Sequence, residues 1–231
     1  MAKPTPRVTR AFDRLAASLY LQEAYELVDG LLFRLGKLEE ARDRWLSAHI
    51  VADEQVGLSH DKFDRDAFNN ALRDSGRAQS SVFDELEAFL AAWARLSLLF
   101  WPAPHRSSPL YAFARERGRI LRSFLQLDER SPLGDRTLRD AWMHTDERFD
   151  DAWVANRLGN RQQFVRSKGV AAAVAHSVRV VDVESLTIYF RDKAGNTQFL
   201  PLLPLREAVN EVLEKRTEAF QTRLHELAPH K

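Results

Sequence analysis

The sequence predicts a mainly α fold: a helical bundle with a small antiparallel β-meander ahead of a C-terminal helix. Three observations lead there. Apolar residues recur at helical spacing through most of the first 153 positions. The prolines at 102, 104, 109 and 132 fall between those stretches. Residues 177–203 are rich in β-branched and aromatic side chains, which alternate with polar ones in Leu186-Thr-Ile-Tyr-Phe190. A chain of 231 residues, 45% apolar and 29% charged, can bury a sizeable core.

Residues 7–54 form the first periodic segment. Val8, Phe12, Leu15, Leu19, Ala24, Val28, Leu31, Leu32 and Leu35 keep roughly helical spacing. Gly30 and Gly36 weaken it, which predicts two helices or one bent one. Residues 57–60 read as a break. A shorter helix over 61–74 ends at Ser75-Gly76, and Ser80 or Ser81 caps the next, which runs to Trp101 and stops at Pro102 and Pro104. Its apolar positions cover much of its circumference, so it is expected at the centre. Ser108 then caps a helix with Pro109 at its first position, reaching about Leu127.

Residues 134–153 read as one further helix, N-capped by Asp135. Leu138, Ala141, Trp142, Thr145, Phe149, Ala152 and Trp153 fall on its core side. Asp140, His144, Glu147 and Asp151 stack on the opposite side at spacings of four, three and four. Residues 156–169 are polar and basic and read as a loop or short helix. Strands are expected near 178–182, 186–191 and 197–200, with Asp192-Lys-Ala-Gly-Asn196 as the turn between the last two. Pro201 and Pro204 end the ribbon, and a final helix runs over 205–227. The expected units are a helical bundle over 1–155, and a basic loop, meander and helix over 156–231 packed on it as one globular whole.

The absence of cysteine excludes disulfides, thiolate metal sites and a cysteine nucleophile. With no apolar leader near the N-terminus and no run long enough to span a bilayer, a cytoplasmic protein without membrane contact is expected. Net charge is only +1, but it is unevenly placed. Residues 106–122 carry five arginines against Glu116, and 156–169 carry Arg157, Arg161, Arg166 and Lys168 with no acid. Between them, residues 128–151 hold eight carboxylates against four arginines. Such a pattern either neutralises itself within the fold or frames an anion site, with Arg157, Arg161, Arg166 and Lys168 as candidate RNA-phosphate contacts. There is no glycine-rich phosphate loop, no HExxH and no GxSxG. No two of the seven histidines lie four apart, so neither a metal nor a cofactor is expected.

One stretch carries chemistry: Arg139-Asp-Ala-Trp-Met-His144. An arginine, a polar residue and a histidine in this order, within a helix of an α-bundle, resemble the motif of the HEPN superfamily. Its active members are metal-independent ribonucleases, and others bind RNA or act as scaffolds. The resemblance covers the motif and, loosely, the bundle from residue 80 to residue 153. It implies a composite catalytic site of Arg139, Asp140 and His144 near a homodimer interface, and a toxin or defence role. An arginine precedes a histidine at such a distance four times: Arg42 to His49, Arg44 to His49, Arg139 to His144 and Arg223 to His230. An acidic or polar residue follows at Arg42-Asp43 and Arg139-Asp140, and the outward position of His144 favours the second. Histidine titrates near neutrality and can move protons, while arginine holds phosphate oxygens through its planar fork. Arg139 and His144 stand about 140° apart on one helix, so convergence requires a two-fold axis. The alternative reading is a non-enzymatic helical interaction or scaffold protein that dimerises or docks a partner protein; exposed apolar surface near the meander would mark it.

Overall fold

The computed structural model describes residues 14–135, 160–192 and 194–222. Its frame is a hairpin of two long helices, α1 (Arg14–Val56) and α2 (Arg65–Phe100). They run antiparallel: Glu23 pairs with Arg95, Arg34 with Glu85, and His49 lies against Ser75. α1 buries Leu21, Ala24, Val28, Leu31, Leu35, Leu38, Ala41 and Trp45, at spacings of three and four, against a matching stripe on α2 that includes Val82, Leu86, Phe89 and Trp93.

Both helices run further than the local sequence signals allow. α1 is unbroken through Gly30 and Gly36, beside which an added methyl group would meet nothing. α2 is unbroken through Ser75, Gly76, Ser80 and Ser81, where a helix end and a new cap were expected. Its N-cap is Asp64, whose carboxylate accepts from the backbone N–H groups of Asp66 and Ala67 at 2.9 Å. Ser80 instead donates back to the Gly76 carbonyl within the helix. A helical glycine costs only about 1 kcal/mol relative to alanine, far less than the apolar stripe on either side recovers by packing. Leu15 and Leu19, members of the helically spaced apolar series, are exposed at the start of α1.

α3 (Tyr111–Phe124) starts two residues later than Pro109 suggests, and Ser108 caps the preceding turn by accepting from the Leu110 N–H. It ends early because Gln126 takes a left-handed conformation, φ 50°. Gly118 lets α3 approach the end of α2: a methyl group there would lie 2.6 Å from the Phe100 carbonyl oxygen and 2.5 Å from the Pro102 ring. A 3-10 turn, Pro132–Gly134, follows and buries Leu133.

Four strands form one sheet in the order β1 (Asn160–Val165), β2 (Ser177–Asp182), β3 (Thr187–Arg191) and β4 (Thr197–Pro201). The last three are the expected antiparallel meander, in the register Val181↔Ile188 and Tyr189↔Phe199. β1 corrects the sequence reading: residues 160–165, expected in a loop or short helix, form a strand parallel to β2, so the sheet is mixed. The segment NRQQFV has neither alternation nor an apolar run, and its conformation is set by pairing with β2, all six residues of which are buried. A 3-10 turn (Ser167–Gly169) and the short α4 (Val170–His176) connect these parallel strands. α5 (Leu202–Thr222) follows β4 directly and packs against α1. One apolar cluster joins α1, α2, α3, the 3-10 turn at Leu133, the sheet and α5. Among the described residues no helix is long and apolar enough to cross a membrane.

Candidate functional site

The expected catalytic residues Arg139, Asp140 and His144 lie outside the described residues, with the whole stretch 136–159, which includes Arg157. The backbone of Arg161 is in β1, and its side chain is not among those described. Arg166 and Lys168 flank the start of the 3-10 turn after β1. Lys168 is exposed, whereas Arg166 is half-buried, its guanidinium 3.8 Å from the Asp53 carboxylate at the end of α1.

The arginines of α3 are used inside the fold. A helix leaves its last carbonyls without intrahelical partners, and a nearby cation satisfies them well. At the end of α2, Arg117 donates to the Leu98 carbonyl at 2.8 Å, and Arg122 donates to the Phe100 carbonyl. The Arg122 guanidinium also pairs with Glu129 and lies over the Trp101 ring, and that of Arg117 lies over Tyr20. Arg119 pairs with Glu116, and Arg115 donates to the Tyr111 hydroxyl. Four of the five arginines over 106–122 are thus engaged within the fold: Arg117 and Arg122 close the end of α2, Arg119 and Arg122 pair with acids, and Arg115 with a tyrosine hydroxyl.

The described residues do assemble a titratable corner where α1, α2 and the end of β1 meet. The His49 ring stacks on Trp45 with centroids 3.7 Å apart. Its Nδ1 lies 3.1 Å from the hydroxyl of Ser75, which is buried inside α2. Phe164 of β1 meets the edge of Trp45 at 5.1 Å, wedging the strand against the hairpin. Asp53, one turn beyond His49, faces Arg166. Burial lowers the His49 pKa below the ordinary imidazole value, and the charge of Arg166 adds to this, while Asp53 and the Trp45 carbonyl act in the opposite sense. The sequence places His49 at motif distance from Arg42 and Arg44 but does not bring it together with Ser75 or Arg166. The available signal was Trp45, His49 and Asp53 at successive four-residue steps. Arg42 sits two turns away, about 10 Å along the axis, and pairs with Asp43 at 2.8 Å, so it and His49 do not converge.

Two further polar clusters are paired locally, around Asp182 and around Arg206. The buried Asp182 carboxylate accepts from the hydroxyls of Ser167 and Ser185, both at 2.7 Å, and from the Glu184 N–H at 3.0 Å. This ties the ends of β1 and β2 to the turn before β3. A cavity of about 200 Å³ at the start of α5 is lined by Arg42, Glu184 and the Glu39–Arg206 pair, which makes two hydrogen bonds of 2.8 Å. A wider groove of about 830 Å³ runs between α1 and α2 on a floor of Ala48, Ala67 and Ala71, with Arg44 and Asp74 on its walls. Among the described residues no three histidine, aspartate or glutamate side chains gather as a metal site would require. No protein-family model, no curated protein and no solved structure matches this chain.

Proposed function

We propose that this chain is a HEPN-like RNA-binding protein that acts as a metal-independent endoribonuclease, of the toxin or defence kind. The observation that carries the reading is the set Arg139, Asp140 and His144, lying between the Pro132–Gly134 turn and β1 of a mainly helical fold. Cleavage without a metal needs a base for the 2′-hydroxyl, an acid for the leaving oxygen and a cation for the phosphorane. In this reading His144 moves the proton, Arg139 holds the phosphate, and a two-fold axis brings in the partner's pair. Lys168, exposed beside β1, adds a phosphate contact; Arg166 adds less, because Asp53 already engages it. The test is cleavage of single-stranded RNA by purified protein in EDTA. Arg139→Ala and His144→Ala should each abolish it without changing the melting temperature by more than a few degrees. If each site takes its arginine and histidine from different subunits, mixing the two variants restores partial activity.

A second reading is favoured by a specific observation: Phe199 on β4, beside Tyr189, is 66% exposed, and Leu203 at the start of α5 is 57% exposed. Apolar surface at the meander is what a non-enzymatic interaction protein would present. A well-folded parent that cleaves no RNA in EDTA, or robust cleavage by both variants, would overturn the nuclease and favour this alternative.

A further inference from the structure

His49 is placed where one proton can act on three elements at once. Its ring is fixed on one face by Trp45, and Ser75 holds Nδ1 from α2. The groups facing it are Trp45 and Asp53 from α1, Ser75 from α2, and Arg166 from the end of β1. Among the described residues, Asp53 and Arg166 are the charged groups that act on it. Asp53 is shared: it attracts a proton onto His49, and it also holds Arg166 at 3.8 Å. Arg166 immediately follows β1, whose last residue, Val165, accepts from the Val183 N–H. The Arg166–Asp53 pair therefore helps to hold the end of β1 against α1, together with the packing of Phe164 on Trp45.

We propose that His49 is a proton-operated latch that holds the β1 end against the α1–α2 hairpin, closed when the imidazole is neutral and loosened when it is protonated. With the ring neutral, Asp53 belongs to Arg166. A proton on His49 puts a second cation in a half-buried slot beside Arg166, and the two compete for one carboxylate. The half-buried ring is also poorly hydrated, so its charge favours conformations that open the corner to water. The elements that loosen are β1 and the 3-10 turn that carries Lys168; β3 and β4 supply none of the groups named around the ring and keep their pairing. The latch acts on packing and is independent of whether the chain cleaves RNA.

The experiment is an NMR titration of the His49 ring combined with amide hydrogen exchange, from about pH 7.5 to about pH 5.5, bracketing the ordinary imidazole value of about 6.5. The His49 resonance, assigned by its loss in His49→Gln, should titrate below that value. After correction for intrinsic exchange, amides of β1 should lose protection severalfold on acidification, while those paired between β3 and β4 change little. In His49→Gln, which stays neutral and keeps a hydrogen-bonding group, protection of β1 should be independent of pH. Arg166→Gln removes the competing cation, so the His49 midpoint should rise and the loss of protection should shrink. This variant gives an independent reading should His49→Gln fold poorly. A His49 midpoint at or above the ordinary value, β1 protection that does not respond to pH, or the same response in His49→Gln would each overturn the proposal.

Discussion

At the scale of single residues, glycines give opposite expectations at different sites. Gly118 is needed for a close approach: a methyl group there meets the Phe100 carbonyl at 2.6 Å, and backbone yields poorly. Gly118→Ala should therefore destabilise the fold by about 1–3 kcal/mol, the usual cost of overpacking. Gly30 and Gly36 lie inside α1 with open space beside them, so alanine at either should stabilise by roughly 0.5–1 kcal/mol through helix propensity. Urea denaturation of the three variants checks both signs. Only part of this was legible beforehand. The sequence marks all three as glycines in helical patterns, but a close approach depends on Pro102 and Phe100, which only the packed structure brings to Gly118. His49 belongs to the same class: its spacing to Trp45 and Asp53 is local, while Ser75 and Arg166 reach it only through the fold.

At the scale of elements, the reading succeeded where local pattern and tertiary environment agree. β2, β3 and β4 lie where β-branched alternation placed them, and Asp192 organises the turn as expected. Its carboxylate accepts from the Ala194 and Asn196 N–H groups and from Gln198. The Gln198 bond, with those to Asn196 and Ala194, holds that carboxyl below the usual aspartate range. The reading failed where packing overrides local preference. β1 is polar and becomes a strand because β2 offers an edge, and α2 passes Ser75-Gly76 because α1 supports it on both sides. The true start of α2 is fixed by Asp64, so Asp64→Ala should cost about 1 kcal/mol and lower the thermal midpoint. Calorimetry showing no loss would mean that the helix start is held by packing alone. Of the helix expected over 134–153, Gly134 ends the Pro132–Gly134 turn and Asp135 is extended after it, while the rest, with Asp140, His144, Glu147 and Asp151, lies outside the described residues, and its faces stand as sequence expectations.

At the scale of the molecule, His49 gives stability a definite pH dependence. Its pKa is lowered by folding, first through burial, so the unfolded chain binds a proton more readily than the folded one. The contribution is complete above the unfolded value of about 6.5 and is lost as pH falls through the lower folded value. Urea midpoints should thus decline on acidification through that window, and His49→Gln should flatten the decline there. A midpoint that rises instead would mean that Asp53, rather than burial, governs the ring.

The length of α1 has a separate consequence for motion in solution. Its 43 residues make a rod about 65 Å long. A compact chain of this size has a radius of gyration of about 17 Å, so an equivalent sphere would be only about 45 Å across. A body stiffened by such a rod tumbles more slowly about its short axes than about its long one. Amide bonds of α1 and α2 point along the rod and those of the sheet need not, so ¹⁵N relaxation should separate these two groups without any difference in their internal flexibility.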